Sequence, residues 1–537
     1  MSIRDLIDFH VVRPRLVASI WILCLLVLLA GCNEAPGYLD KSEQDLGLFK
    51  SPLGTDHRVF HSALLYPYGL GLRSTGYIVG VEKGNQALVG GPAVHPEVLA
   101  EPAQPTTAEF DGIRSRLEGD RKAQLITHVV RYKAIVDDGR GGGADGEMPA
   151  GTRARITQCV LYSALQPPPD HMADQDEGRA LFRPCRNGAD QPTVAADPDS
   201  VPGAYAASWQ AVDRLRAALT EDLRTGRYTD IIVVVMGWNT AESEALQNIN
   251  SFAGHLLDEA EERAPAGSHQ FSPLLVGVTW PSLWELNDWA IVPTAVVRGV
   301  SFPYKADDAN EFASTWLREV VTRATVPARD AAAQEMGAAA GNRDQPRVVL
   351  VGHSFGARAV LTALVQAPQL EPPTSSVERL LGPQDRVILL QGAMQIERLF
   401  DEDGNLPQPF SAGDPRITMT ASQFDTAVST AFWGQYLGDI DTFDGACHEA
   451  DASGRWRGLD VGKIGCGVAT RVEKPAYGFS LCQKTKRSEG IDTLDGKSVR
   501  YFDATAMINC NAPFTGGGAH SDIYRRETAR FLLDEMR

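Results

Sequence analysis

Apolar residues in the last two thirds of the chain follow two patterns that alternate along the sequence. Short unbroken runs, such as DIIVVVM at 230–236, are typical of strands that are buried on both faces of a sheet. Between these runs, apolar residues recur at helical spacing. The predicted strands lie at 230–236, 273–279, 347–351, 386–391 and 416–421, and the predicted helices at 209–223, 246–260, 308–324 and directly after 354. Alternating strands and helices predict an α/β protein, with a mostly parallel sheet that carries helices on both faces.

The chain before this region is less regular. Residues 56–200 contain two strand-like segments, 127–136 and 155–162, between loops that are rich in Gly and Pro. We therefore expect a smaller N-terminal region, rich in β structure and loops, followed by an α/β domain at 205–537. A cysteine-bearing stretch at about 436–512 is predicted to be an insertion in that domain, before the C-terminal helix.

The first 31 residues have the features of an export signal. Three arginines precede an apolar run at 16–30, which is shorter than the roughly 20 residues that span a bilayer. The sequence LAGC at 29–32 resembles the cleavage box of bacterial lipoproteins, which implies cleavage before Cys32 and lipid attachment to that residue. An uncleaved N-terminal anchor is the alternative. Asn33, in place of Asp, favours the periplasmic face of the outer membrane, and residues 32–55 are predicted to be a tether.

The net charge of the chain limits the classes of molecule that it is expected to bind. The formal net charge of the 537 residues is −17, and loss of residues 1–31, with three Arg and two Asp, would make it −18. Such a surface repels nucleic acid and anionic lipid headgroups. We therefore expect no nucleic-acid partner, and we expect membrane association only through the lipid at Cys32. The oligomeric state stays open.

Six cysteines remain beyond Cys24 in the signal and Cys32 at the predicted lipid site. An even number in an exported protein predicts up to three disulfides. Sequence proximity favours a bond between Cys159 and Cys185, with the other four bonding among themselves; these four are Cys447, Cys466, Cys482 and Cys510. No Cys-x-x-Cys pair is present, so a zinc site is not predicted.

The strongest chemical signal is the segment RVVLVGHSFGARAVL at 347–361. It predicts a strand, a sharp turn at Gly352–Gly356 and a helix, with Ser354 at the apex. Small residues two positions before and after the serine allow the turn to pass close to its neighbours. Ser354 is therefore the candidate nucleophile, and a structural serine in a Gly-rich turn is the alternative.

A serine nucleophile needs a base and an acid, which follow it in the chain in enzymes with this turn. Only His448 and His520 lie beyond Ser354, and the Gly-rich approach to His520 favours it as the base. The favoured acid is Asp425, because it follows a predicted strand directly; Glu397 and Asp401 are the alternatives.

Two backbone N–H groups are expected to stabilise the oxyanion. Phe355 directly follows the nucleophile, and Trp238 lies in the turn after the strand at 230–236. An ordinary strand-to-helix turn is the alternative interpretation of residues 237–240.

Together these motifs resemble a bacterial family of largely uncharacterised, esterase/lipase-like α/β-hydrolases. The resemblance covers about residues 228–440 and 515–537. The matching residues are Gly237-Trp238-Asn239, Trp280-Pro281-Ser282, His353-Ser354-Phe355-Gly356, Asp425 and His520. Met236 departs from the pattern, which has histidine there.

The resemblance and the motifs lead to one expectation about function. We expect an exported, lipid-anchored serine hydrolase that cleaves an ester-type acyl substrate through a Ser354–His520–Asp425 triad, with no metal and no organic cofactor. The apolar stretch at 283–304 is either a lid or acyl pocket or plain core packing. The alternatives are a catalytically silent hydrolase fold that acts as an envelope scaffold, and a peptidase.

Overall fold

The computed structural model describes residues 75–84, 123–136, 154–163, 201–238, 240, 242–264, 271–282, 305–306, 308–340, 345–365, 381–401, 403–406, 416–428, 436–469, 481–482, 494–511 and 518–537. The predicted signal, the lipid site at Cys32, the tether and the apolar stretch at 283–304 lie outside these residues. No helix among the described residues combines the length and the apolar character needed to cross a membrane.

A 10-stranded sheet forms the centre of the protein. Its strands, in chain order, are β1 (Gly76–Gly84), β2 (Ala123–Val136), β3 (Ala154–Ser163), β4 (Asp230–Val235), β5 (Pro273–Thr279), β6 (Arg347–His353), β7 (Arg386–Leu390), β8 (Arg416–Ala421), β11 (Ile464–Val468) and β13 (Val499–Asp503). Among the residues described, two short antiparallel pairs lie outside it. They are β9 (Arg455–Trp456) with β10 (Leu459–Asp460), and β12 (Leu481–Cys482) with β14 (Cys510–Asn511).

The helices lie between the strands of the sheet or follow them. They are α1 (Val201–Leu223), α2 (Glu242–Arg263), α3 (Val326–Ala340), α4 (Phe355–Val365), α5 (Ile440–Cys447) and α6 (Arg526–Met536). Two π-helical segments, Ala313–Leu317 and Val320–Thr325, lead into α3.

The order of strands across the sheet is β11-β13-β8-β7-β6-β4-β5-β1-β2-β3. Every neighbouring pair from β11 to β1 is parallel, and β2 and β3 continue the sheet as antiparallel strands. The chain passes from β4 outward to β5 and then returns to β6 on the other side of β4. The strand order therefore reverses between β4 and β6, and crevices at the carboxyl ends of strands at such a reversal bind ligands in open α/β sheets.

Both faces of the sheet are covered, which confirms the predicted α/β class. Along β4, Ile231 and Val233 pack into one core and Ile232 and Val234 into the other, because successive side chains of a strand point to opposite faces. Helices α1 and α4 cover the first face, and α2 and α6 cover the second. The unbroken apolar run in β4 follows from this double burial.

Strands β1 to β3 belong to the same sheet as the α/β domain. The buried carboxylate of Asp222 on α1 accepts hydrogen bonds from Tyr77 on β1 and Arg131 on β2. Burial and the neighbouring Asp222 raise the pKa of Tyr77 well above its ordinary value, so that Tyr77 acts as a donor. This buried contact fastens the N-terminal strands to the helix that covers them.

Part of the stretch at 436–512, which was predicted to be an insertion, belongs to the central sheet. It supplies β11 and β13, which extend the parallel sheet beyond β8. The apolar pattern does not predict these strands, because polar or glycine positions interrupt each of them. A disulfide joins Cys447 on α5 to Cys466 on β11, as expected for the last four cysteines. Cys159 and Cys510 are also disulfide-bonded, and Cys510 lies opposite Cys482 in the β12–β14 pair.

Candidate active site

Ser354 occupies a sharp turn between β6 and α4. Its φ is 57°, a left-handed conformation that residues other than glycine adopt rarely, and which costs of the order of 1–3 kcal/mol. A Cβ added at Gly352 would lie 2.5 Å from the Cα of Ala357, and one added at Gly356 would lie 2.1 Å from the Val235 carbonyl oxygen. The turn therefore has the steric requirement for small flanking residues that the sequence motif predicts.

Backbone hydrogen bonds hold this turn against the neighbouring strand. The Ser354 N–H donates to the Leu390 carbonyl oxygen at 3.0 Å, and the Ala393 N–H donates to the Ser354 carbonyl oxygen at 3.1 Å. Ser354 is 4% exposed. The surrounding structure thus fixes the backbone that carries the candidate nucleophile.

His520 and Asp425 come together at the carboxyl edge of the sheet. The Nδ1 atom of His520 lies 2.7 Å from Oδ2 of Asp425, whose side chain is fully buried. Asp425 follows β8 within four residues, and an isolated bridge pairs it with Gly518, two residues before His520. Ala519 N–H also donates to the Phe424 carbonyl oxygen at 2.8 Å, so the backbone aligns the two loops that carry the acid and the base.

The carboxylate of Asp425 receives further donors. The side-chain amide of Gln391 donates to Oδ2 at 2.8 Å, and the N–H groups of Ala427 and Val428 approach Oδ1 at 3.1 and 3.4 Å. Four donors, including His520, satisfy a carboxylate that solvent does not reach. These bonds fix the orientation in which Asp425 meets the imidazole ring.

Gln391 is a member of the site that no sequence motif indicates. It has a φ of 48° and is fully buried. Thr420 Oγ1 accepts from the Gln391 backbone N–H at 3.1 Å and donates to its Oε1 at 3.0 Å. Because Oε1 takes the hydroxyl proton, the NH₂ group of the amide must face Asp425. The only sequence signal was the position of Gln391, directly after a buried strand.

His353 connects the nucleophile turn to the loop of the base. Its Nε2 lies 2.9 Å from the His520 carbonyl oxygen, and the two imidazole rings are 4.7 Å apart between centroids. A carbonyl oxygen accepts only, so His353 carries a proton on Nε2. Burial, and then the neighbouring His520, hold the pKa of His353 well below its ordinary value. His353 is therefore neutral at physiological pH and serves as a fixed donor to the loop of His520.

The turn after β4 lies against the nucleophile. A Cβ added at Gly237 would lie 2.6 Å from the Cβ of Ser354 and 3.2 Å from its Oγ, so only glycine leaves room for the serine side chain. The rings of Trp238 and Phe355 are 6.1 Å apart between centroids. The two residues predicted to supply oxyanion donors therefore lie close together, beside Ser354.

Met236 is held firmly in this turn. Its side chain is buried, and Tyr524 Oη donates to its Sδ at 3.1 Å. Its carbonyl oxygen accepts from the indole Nε1 of Trp280 at 2.9 Å. The methionine is thus held by two side chains from separate parts of the chain.

The residues considered as alternatives to Asp425 and His520 make other contacts. Glu397 is exposed in a short 3₁₀ helix, and exposed Asp401 accepts from the N–H groups of Asp403 and Asn405 in its own loop. His448 Nε2 lies 3.6 Å from the half-exposed Asp444. Among the described residues, the structure brings together Asp425 and His520, and it places Ser354 at the same edge of the sheet.

Neither metal ligation among the described residues nor comparison with known proteins assigns a function to this site. Within the described part of the chain, no three His, Cys, Asp or Glu side chains are grouped so that they could hold a metal ion. Comparison of the sequence with models of known protein families and with curated proteins gave no match.

Proposed function

We propose that this protein is an exported serine hydrolase of the α/β-hydrolase fold, which cleaves an ester-type acyl substrate. The observation that carries the proposal is the 2.7 Å contact between His520 and Asp425, at the sheet edge where Ser354 occupies its strained turn. The reversal of strand order between β4 and β6 supports it, since the loops after these two strands carry Trp238 and Ser354.

The hydrogen-bond pattern gives each residue a role. Because Asp425 accepts from Nδ1, the neutral His520 ring has its lone pair on Nε2, where it can take the proton of Ser354. The serine oxygen then attacks the carbonyl carbon, and the carbonyl electron pair moves to oxygen. In this proposal the N–H groups of Phe355 and Trp238 stabilise that oxyanion.

Collapse of the tetrahedral species completes the first half of the reaction. The bond from the carbonyl carbon to the leaving oxygen breaks, and His520 donates its proton to that oxygen, which departs as the alcohol. Water then attacks the acyl carbon with His520 as the base, the bond to Ser354 Oγ breaks, and His520 returns the proton to Oγ as the carboxylic acid leaves. Throughout, Asp425 holds the imidazole orientation and stabilises its positive charge. No step requires a metal or an organic cofactor.

Location and partners are part of the same proposal. A lipid at Cys32 would anchor the protein at the periplasmic face of the outer membrane, and the substrate would be a small or lipid-like acyl compound. The disulfide between Cys447 and Cys466 is compatible with an oxidising compartment.

Hydrolysis of short-chain p-nitrophenyl esters tests the proposal. We expect the wild type to hydrolyse these esters, and Ser354→Ala and His520→Ala to lose about 10³-fold or more in kcat/KM. His448→Ala is the matched control, because His448 is half exposed and contacts Asp444 instead of Asp425; it should retain full activity. Peptide anilides of the same acyl size distinguish an esterase from a peptidase. A well-folded wild type without Ser354-dependent turnover favours the scaffold function.

A further inference from the structure

The segment Trp280-Pro281-Ser282 directly follows β5, and its role is not explained by the triad. Trp280 Nε1 donates to the Met236 carbonyl oxygen at 2.9 Å, and Ser282 Oγ donates to the Thr240 carbonyl oxygen at 2.8 Å. These two bonds bracket residues 236–240, which include Trp238. Both donor residues are buried, at 6% and 4% exposed.

We propose that Trp280 and Ser282 are positioning residues that hold the oxyanion turn in its active geometry. The inference rests on the proposed function, and it assigns to these two side chains the orientation of the Trp238 N–H. We call residues 280–282 the oxyanion clamp.

Peptide planarity gives the physical reason. The Met236 carbonyl and the Gly237 N–H belong to one planar trans peptide, in which they point in opposite directions. When Trp280 holds the Met236 oxygen, the plane directly before the Gly237–Trp238 peptide is fixed. At the other end of the turn, Ser282 holds the Thr240 carbonyl. On that side, Thr240 Oγ1 also lies 3.5 Å from the Trp238 carbonyl oxygen. The peptide that carries the Trp238 N–H is therefore preceded by a peptide that Trp280 holds, and it is followed by one that Ser282 restrains through Thr240.

The clamp is itself held by buried contacts. The indole of Trp280 stacks on Phe312 with 6.1 Å between ring centroids and 12° between planes. Ser282 N–H donates to the Trp280 carbonyl oxygen at 2.6 Å. The fully buried ammonium of Lys305 donates to the Pro281 carbonyl oxygen at 2.7 Å and lies 3.1 Å from a carboxylate oxygen of Asp308.

A buried ammonium is costly unless it is paired and hydrogen-bonded. In this position Lys305 links the backbone of the clamp to the helical segment formed by residues 305–306 and 308–312. The clamp is thus a rigid link between that segment and the turn that faces Ser354. Rigid positioning of this kind matters for catalysis, because a donor stabilises an oxyanion only when it points at the developing charge.

The test uses Ser282→Ala, which removes the hydroxyl donor, and Trp280→Phe, which removes the N–H and keeps a ring to stack on Phe312. We expect each to lower kcat on p-nitrophenyl esters by about 10-fold or more, with KM within about twofold of wild type. Ser282→Thr keeps the hydroxyl and should recover most of kcat. Ser314→Ala is the matched control, since Ser314 Oγ donates to a backbone carbonyl, that of Asn310, at 2.9 Å in a different place.

A second readout separates positioning from general loss of structure. Ser354 Oγ adds to the carbonyl carbon of a trifluoromethyl ketone, which leaves an oxyanion in the hole, so the affinity of this inhibitor reports how well the hole stabilises that charge. The clamp variants should lose inhibitor affinity by the same factor as kcat, while their melting temperatures stay close to that of Ser314→Ala. The clamp alone is overturned if the wild type has Ser354-dependent activity but Ser282→Ala and Trp280→Phe match Ser314→Ala in kcat and in inhibitor affinity. A wild type without such activity overturns the proposed function, and the clamp with it.

Discussion

The amide of Gln391 donates to the same carboxylate oxygen of Asp425 that accepts from His520. One oxygen thus receives a neutral amide donor and the proton-bearing Nδ1 of the base. Because the amide is locked by Thr420, Gln391 limits the orientations available to the carboxylate. Its left-handed backbone is the second strained non-glycine conformation at this edge of the sheet, after that of Ser354.

Removal of this amide should impair catalysis without abolishing it. Gln391→Met keeps the side-chain length and deletes the donor to Asp425, so the carboxylate loses one of its fixed partners. We expect kcat to fall about 10-fold with little change in KM, as measured by steady-state ester hydrolysis. Gln423→Met is the control, since Gln423 is exposed in the loop that carries Asp425. Equal kinetics for the two variants would show that the amide does not position the acid.

Gly237→Ala should remove activity through a steric effect on Ser354. The new methyl group would lie 2.6 Å from the Cβ of Ser354 and 3.2 Å from its Oγ, which forces the turn or the serine to move. We expect a loss of at least about 100-fold in kcat/KM. Gly254→Ala on α2 is the matched control, because a Cβ there meets no atom within 4 Å. That variant should keep activity and gain up to about 1 kcal/mol in the free energy of unfolding. Full activity in Gly237→Ala contradicts the geometry at the nucleophile.

His353 makes the free energy of unfolding depend on pH. In the folded protein its pKa is well below the ordinary value, because it is buried and lies beside His520. Below a pH of about 6.5 the unfolded chain binds a proton at this residue that the folded protein does not bind. The free energy of unfolding therefore decreases as the pH is lowered below that value. The expected loss is up to about 1.4 kcal/mol per pH unit from this one group.

His353→Gln tests that dependence and keeps an amide donor for the His520 carbonyl. Urea unfolding at pH 7.5 and 5.5 should show a smaller loss of stability for the variant than for the wild type. His448→Gln serves as a comparison with a half-exposed histidine, and it should follow the wild type. Superimposable pH dependence of the wild type and His353→Gln would count against a neutral, buried His353.

The disulfide between Cys447 and Cys466 should contribute to stability and leave the chemistry intact. It closes a loop with a sequence separation of 19, and a cross-link of that size contributes about 3 kcal/mol. In the sheet, β13, β8 and β7 separate β11 from the strand before Ser354. We expect the double variant Cys447→Ser/Cys466→Ser to unfold at lower urea and to keep its kcat at low temperature. A variant with unchanged urea midpoint contradicts the stabilising role.

Periodicity and motif context predicted the parts of the fold that local sequence controls. The run DIIVVV is buried on both faces of the sheet, and the serine turn needs its flanking glycines for the reason that the motif implies. The roles of Gln391 and His353 were not predictable in the same way, because each depends on a partner far away in the chain. Gln391 meets Asp425 across 34 residues, and His353 meets His520 across 167. The strands β11 and β13 were missed because glycine and polar residues interrupt their short apolar runs, IGCGV and VRYFD, and so weaken the pattern.

The most direct test of the central claim is covalent labelling by a fluorophosphonate, followed by peptide mass spectrometry. The reagent forms a phosphorus–oxygen bond with an activated serine and releases fluoride. Our account predicts one adduct, on the peptide that contains Ser354, and none in Ser354→Ala; Asp425→Asn should slow labelling strongly. A folded wild type that stays unmodified, or that carries the adduct on a different serine, contradicts the account.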